Sequence, residues 1–395
     1  MALTEMESIA AIPNEGWLRR YVIHAVKQTT APLCYHIGMG LTLLAVTCPL
    51  AYGMEYAGVL HTNTFTLLVG RSGEDNKSTA LGVGLKILKD AAPSLIGDMP
   101  GSPEGLVDSL QMAPSQMIPI SEFGKFLSSA QRGYFEPIKT LLADVWDSQK
   151  ITRAKASQRG QRNVITVDDP RLSIGAACSI PYLEKHTLAE DWTGGFMGRW
   201  LVFYGRRERV DPDPVGDRTD FQYLVDELRA RANQPTAGFC MGLTDPAAAL
   251  WKEWYFNIST RILPDNIIGI RARAPTLARK IGLILSWDYG PARSSAPWRM
   301  DLDVLEPALA MTELHVKSLV DLSEMIAEHE DARLRRSIIS AINSKGGVAT
   351  MGDILAILKR KKRPIQELLD SLLEEKKIKR IQTPAGFAYE LQSFL

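Results

Sequence analysis

Apolar positions first recur at helical spacing and then run almost unbroken. Residues 14 to 30 (NEGWLRRYVIHAVKQTT) carry Trp17, Leu18, Tyr21, Val22 and Val26 on one helical face, with Asn14 as a candidate N-cap. No Asp, Glu, Lys or Arg then occurs between Lys27 and Glu55, and the middle of this stretch reads IGMGLTLLAVTCPLAYGM. A transmembrane helix needs about 20 apolar residues. Pro32 and Pro49 bracket the run short of that, with Cys34, His36, Gly38 and Gly40 inside it, so the pattern predicts a buried core helix and no membrane span. HTNTFTLLVG is β-branched and apolar and reads as a buried strand, followed by a helix over STALGVGLKILKDAA. MIPISEF predicts a second strand ending in an acid, and GYFEPIKTLLADVWDS a helix. NVITVDDPRLSIGAACS contains two more strand-like runs and GRWLVFYGRRE another. Strands alternating with helices predict an α/β fold, a mostly parallel sheet with helices on its faces.

The pattern changes twice. VDPDPVGDRTD (210 to 220) is rich in proline and aspartate and reads as a loop, after which the chain is mainly helical to about Glu330. From Asp331, LRRSIISAI, GGVATMGDILAIL and PIQELLDSLLEEKKI predict three short helices. KRIQTPAGFAYEL then predicts a hairpin turning at 384 to 386, which completes a winged-helix layout. The expected organisation is a helical segment over 1–60, a core over 61–215, a helical subdomain over 216–330 and a winged helix over 331–395. No internal repeat or low-complexity tract is present.

Composition narrows the classes. At 395 residues and 45% hydrophobic, the chain is long enough for two or three domains of about 150 residues with sizeable cores. Cysteines 34, 48, 178 and 240 are too few for a disulfide scaffold and lack zinc-ligand spacing. The N-terminus has acids where a secretory signal needs bases, so a cytoplasmic protein is expected. The net charge of +1 excludes a polycation, but it is segregated: residues 331 to 380 hold 13 basic against 6 acidic side chains, leaving about −6 on the rest.

The strongest chemical signal is LLVGRSGEDNKSTALG (67 to 82), a strand, a polar turn and a helix. A phosphate loop needs backbone N–H groups turned inward, a lysine for the β/γ-phosphates and a hydroxyl for magnesium, at a helix N-terminus. Gly70, Gly73, Asn76, Lys77, Ser78 and Thr79 are the candidate nucleotide-binding residues, with Ser78 the metal ligand and Thr79 its alternative. The pattern departs from G-x-x-x-x-G-K-[ST]: Asn76 stands where glycine is usual, and Gly70 lies one residue too far back. Asparagine visits positive φ more readily than other non-glycine residues. Glu74 and Asp75 are expected to repel a triphosphate. Glu122, at the end of the second strand, is the candidate acid for the attacking water, and Ser179 a candidate γ-phosphate sensor.

Two basic clusters suit nucleic acid. KITRAKASQRGQR predicts a mobile loop with Lys150, Arg153, Lys155, Arg159 and Arg162 tracking a phosphodiester backbone. Lys359, Arg360, Lys361, Lys362 and Arg363 form the second, within the winged-helix segment, with KKIKR (376 to 380) beyond it. Arg199, flanked by glycines and just before a strand, is the first candidate for an arginine finger; Arg206, Arg207 and Arg209 follow that strand.

The ordered set VGxSG…KST, ISEFGKFL, LLADVWDS, LSIGAACSIPYLE, DWTGGFMGRWLVFY and ARAPTLARKIGLILS resembles the RecA-type P-loop proteins of phages, plasmids and integrated elements. These were long labelled only as a domain of unknown function and are often fused to primases. The resemblance covers roughly residues 15 to 290. It implies a RecA-like ATPase core distantly related to hexameric replicative helicases, with ATP and Mg2+ as cofactors. Lys77, Ser78, Glu122 and Arg199 would take the phosphate, metal, catalytic-acid and finger roles. The expected function is an ATP-dependent DNA helicase or translocase acting as a homo-oligomer, a hexamer first. The alternatives are a non-catalytic DNA-binding initiator or regulator, or a helicase-loader-like accessory ATPase acting through the winged helix.

Overall fold

The first amphipathic face forms a helix, but Asn14 does not cap it. After the short α1 (Glu5–Ala10), α2 (Gly16–Gln28) starts from Glu15, which makes no side-chain capping bond. The capping carboxylate comes from far along the chain: Asp288 accepts from Trp17 N at 2.7 Å and Leu18 N at 2.9 Å. Gly16, at φ +92, lets the backbone turn against that carboxylate. The apolar run becomes α3 (Leu33–Thr47), in which every residue is buried. Gly38 faces Phe203 and Thr66, and Gly40 faces Leu18 and Tyr21, so each glycine admits a close neighbour on one side of this helix. Among the described residues no helix is long and apolar enough to cross a membrane.

A computed structural model describes residues 1–48, 51–53, 60–131, 133–155, 163–211, 218–234, 239–289, 299–384 and 386–392. Two compact units divide the chain, Met1–Asp321 and Leu322–Leu395. After α3 come β1 (Ala51–Gly53), β2 (Phe65–Gly70), α4 (Lys77–Ala91), α5 (Pro103–Met112), β3 (Ser115–Ile120), α6 (Phe123–Ser129) and α7 (Ile138–Trp146). Next are β4 (Ile151–Lys155), β5 (Asn163–Val167), β6 (Arg171–Ser179), α8 (Ile180–His186), α9 (Ala189–Thr193) and β7 (Trp200–Tyr204). The first unit continues through α10 (Arg218–Ala232), β8 (Phe239–Leu243), α11 (Asp245–Thr260), α12 (Ile270–Tyr289), β9 (Arg299–Met300) and into α13 (Leu302–Ser344).

The chain is therefore mixed α/β, built on a four-stranded parallel sheet in the order β3-β6-β2-β7. Pro119, which cannot donate to a ladder, sits on edge strand β3, where such a residue is tolerated. The other edge, β7, is covered: Val202 N donates to His315 Nδ1 at 2.9 Å and Tyr204 N to Ser318 Oγ at 3.0 Å, both on α13. One apolar core draws on Trp17, Leu44, Leu68, Leu201, Leu228, Ile284 and Leu309, so the segments expected over 1–60, 61–215 and 216–330 share it.

Three local expectations change. Residues 151–155 are not loop but strand β4, paired antiparallel with β5; Ile151 and Val167 are buried opposite each other, an apolar anchor hidden among the basic residues. The segment after 221 is not only helical, because β8 pairs in parallel with β1 and β9. LRRSIISAI is not a separate helix but the end of the 43-residue α13. Between Ala308 and Ser344 there is neither glycine nor proline to break it. Pro307, near its start, frees the carbonyl of Asp303, which accepts from the Tyr289 hydroxyl at 3.3 Å.

In the second unit, β10 (Val348–Thr350), α14 (Met351–Leu358), α15 (Lys362–Glu374), β11 (Ile378–Thr383) and β12 (Gly386–Leu391) follow the end of α13. Its antiparallel sheet runs β10-β12-β11 around a core that includes Ile342, Ile354, Leu369, Leu372 and Tyr389. Thr350 and Asp353 form a reciprocal capping box at the start of α14.

Candidate functional site

β2 ends at Gly70 and α4 begins at Lys77, which leaves a six-residue loop between them. Asn76 takes the left-handed conformation its residue type favours, φ 48, and its amide donates to Thr30 Oγ1 at 3.0 Å. Gly73 is also at positive φ. The two loop carboxylates do not face the space in front of the loop. Asp75 is 1% exposed and accepts from Arg71 N at 2.6 Å and Arg207 N at 2.9 Å, so it ties the loop to the exit of β7. Glu74 is ion-paired with Arg71 at 2.5 Å. Behind the loop, the Tyr35 hydroxyl lies 2.6 Å from the carbonyl of Val69 and 2.9 Å from that of Gly205. A Cβ at Gly70 would stand 2.3 Å from that hydroxyl, so Gly70 supports the loop from the rear and does not line the site.

In front lies a cavity of about 310 Å3 at the carboxyl ends of β2, β6 and β3. On the loop side it is lined by Gly73, Asn76, Lys77, Ser78 and Thr79. Lys77 is buried and its ammonium donates to the carbonyl of Arg71 at 2.7 Å. Burial pulls its pKa down, with Asp75 and Cys178 opposing. Ser78 and Thr79 are exposed on the first turn of α4. Ser179 comes in from β6, paired in register with Gly70, and its side chain makes no capping bond to α8. Glu122 comes in from the end of β3; it too makes no capping bond and instead ion-pairs with Lys125, whose pKa that hydrogen bond raises. The buried Cys178 thiol in the same wall is pushed up to about 12 by burial, with Lys77 opposing. Strands in a sheet lie about 4.8 Å apart. With β6 between β2 and β3, the lysine-bearing loop and the acid are separated by two such spacings, room for a phosphoryl group and a water.

Arg199 is elsewhere. It precedes β7, so it stands at the amino end of the sheet, the end away from the loop. Only 12% of its side chain is exposed, and its guanidinium pairs with Asp147 at 2.9 Å and donates to the Gly195 carbonyl at 3.1 Å. Arg273 shares the Asp147 carboxylate at 3.6 Å. Beside them Lys280, fully buried, donates to the main-chain and side-chain oxygens of Asn63 and to the Trp146 carbonyl; burial brings its pKa down to about 7. Of the arginines after β7, Arg209 is structural: it pairs with Glu5 and donates to the carbonyls of Val26 and Ala31.

The first basic cluster is partly neutralised. Lys150 pairs with Asp168 at 2.9 Å and Arg153 with Glu104 at 3.3 Å. Lys155 ends β4, and Arg159 and Arg162 lie outside the described residues. The second cluster is coherent. Lys359 closes α14 in the left-handed conformation, Lys361 is the N-cap of α15, and Lys362 and Arg363 start its first turn, all exposed together with Arg360. Further along, the exposed side of α15 carries Glu367, Asp370 and Glu374, and Arg363 pairs with Glu367 at 3.1 Å.

Sequence reasoning missed Asp75 as the loop's anchor, Tyr35 behind it, and Lys125 and Tyr182 in the cavity wall. Lys125 was findable, because a lysine three residues after an acid at a helix start is its neighbour on the helix surface. No protein-family model matches the chain, and no curated protein matches it.

Proposed function

We propose that the chain is an ATP-dependent DNA-translocating ATPase with a RecA-like core, working as a ring, and that its C-terminal unit is a winged helix that holds DNA. One observation carries the reading: a single cavity at the carboxyl ends of parallel strands gathers Lys77 and Ser78 from the start of α4, Ser179 from the end of β6 and Glu122 from the end of β3. The residues present suit a magnesium-bound triphosphate, since a lysine and two free-facing hydroxyls open the helix while the loop carboxylates are turned away. Bound ATP and magnesium would supply the scissile phosphoanhydride and neutralise its charge. Lys77 would exchange the Arg71 carbonyl for a phosphate oxygen, Ser78 would give its hydroxyl to the metal, and Ser179 would contact the terminal phosphate. Glu122 would orient the attacking water and take its proton.

A finger role for Arg199 would require an oligomer. At the far end of the sheet it cannot serve its own loop, so as a finger it would serve a neighbour's site once released from Asp147. Truncating Lys77 tests the assignment: Lys77→Ala is expected to lower ATP hydrolysis at least about 100-fold, the scale of losing one buried charge-stabilising donor. Hydrolysis at the wild-type rate would refute it.

A second reading is favoured by α15. Its carboxylates at 367, 370 and 374 oppose lying lengthwise in a major groove and suit an accessory ATPase that docks a protein through this unit. Duplex binding by the full chain that is indifferent to the charge of 359–363 would support this second reading over the first.

A further inference from the structure

Glu122 and Lys125 form the common wall of two cavities. One is the phosphate-loop cavity. The other, about 380 Å3, lies on the far side and is walled by Met99, Pro100, Phe126, Tyr134 and Phe135, with the hydroxyls of Ser121 and Ser129 among them. We propose that this second cavity receives a base of single-stranded DNA whose phosphate draws Lys125 away from Glu122, so that strand binding releases the acid for hydrolysis. The inference rests on the ATPase reading above for its release step, while the base site stands on its own geometry.

Three observations support it. Tyr134 is 70% exposed with its ring at the cavity, an aromatic face held out to solvent next to Phe135. Bases stack on such faces without regard to sequence. Lys125 is also 70% exposed as a side chain and lines both cavities, so a phosphate can reach it from the aromatic side. The pairing of Glu122 with Lys125 leaves the acid engaged in a charged hydrogen bond, the wrong state for accepting a proton from water. The base of a bound ATP does not compete for this space. With its terminal phosphate nearest Glu122, the nucleotide's base lies at the opposite end of the molecule.

The full chain is titrated into a fluorescein-labelled oligodeoxythymidine strand and followed by anisotropy, and ATP hydrolysis is measured with and without that strand. The wild type is expected to bind and to be stimulated. Tyr134→Ala, an exposed position whose melting curve checks folding, is expected to keep the basal rate and bind about tenfold more weakly. Lys125→Met is expected to raise the basal rate and lose the stimulation. Strand affinity unchanged by Tyr134→Ala overturns the base site whatever the ATPase result, and absence of strand binding, as for a peptide-binding cavity, does the same. A low basal rate with stimulation intact in Lys125→Met overturns the release step. Strand binding through Tyr134 with no hydrolysis under any condition overturns the ATPase reading and the release step, and leaves the base site standing.

Discussion

Asp75 does the most to hold the candidate loop in shape. Its carboxylate is buried and satisfies two backbone donors, one four residues upstream and one 132 residues downstream. Removing it strands both N–H groups. Asp75→Ala is therefore expected to lower stability by about 1–3 kcal/mol in urea unfolding, with Asp75→Asn losing less. Gly70→Ala should weaken the same corner, because its methyl would meet the Tyr35 hydroxyl that binds the ends of β2 and β7. At this scale the sequence was informative where chemistry is local. Residue type alone points Asn76 to positive φ, and position points Lys77 and Ser78, at a helix start, and Glu122, after a strand, to the cavity they line. Asp75 was read as a liability, because nothing near it in sequence announces Arg207 as its partner.

His315 links a residue to an element. Its Nδ1 accepts the Val202 N–H at the outer edge of β7, which requires the neutral ring. Burial pulls His315 down to about 3, and pulls buried His36 to about 3 as well. In the unfolded chain both take up protons near pH 6.5, whereas the folded chain resists until far lower. Their contribution to the fold is thus intact above about pH 6.5 and is lost as pH falls towards 3, by about 2 kcal/mol each at pH 5. Denaturant midpoints from pH 7.5 to 5 should show this, and His315→Gln should flatten part of the slope. Elements with strong periodicity (α2, α3, β2, β6, β7) were legible from hydrophobic pattern alone. β4 and β8 were not: each is short, and each is fixed by pairing with a partner that local sequence does not reveal.

Across the whole molecule, charge and fold divide differently. The near-neutral total sums a basic stretch from 331 to 380 and about −6 on the rest of the chain, and the clearest exposed basic run within that stretch is Lys359–Arg363. If these five side chains hold phosphates, replacing them with Gln in the full chain should weaken duplex binding uniformly across sequences. It should also reduce the slope of log affinity against log salt by up to about 4. A slope that stays the same would assign the unit to protein contacts. The three segments expected over 1–330 contribute to one core within the compact unit Met1–Asp321, because residues of α2, α3 and α10 to α13 join those of the sheet in it, a long-range fact that composition shifts at 210–220 obscure.

In the proposed function, the loop between Gly70 and Lys77 holds the phosphates of ATP. ATP hydrolysis by the full chain and by Lys77→Ala, with magnesium and single-stranded DNA present, tests it most directly. Magnesium-dependent turnover by the wild type that falls at least about 100-fold in Lys77→Ala is the predicted result. Equal turnover in the two proteins, or none in the wild type, would contradict it.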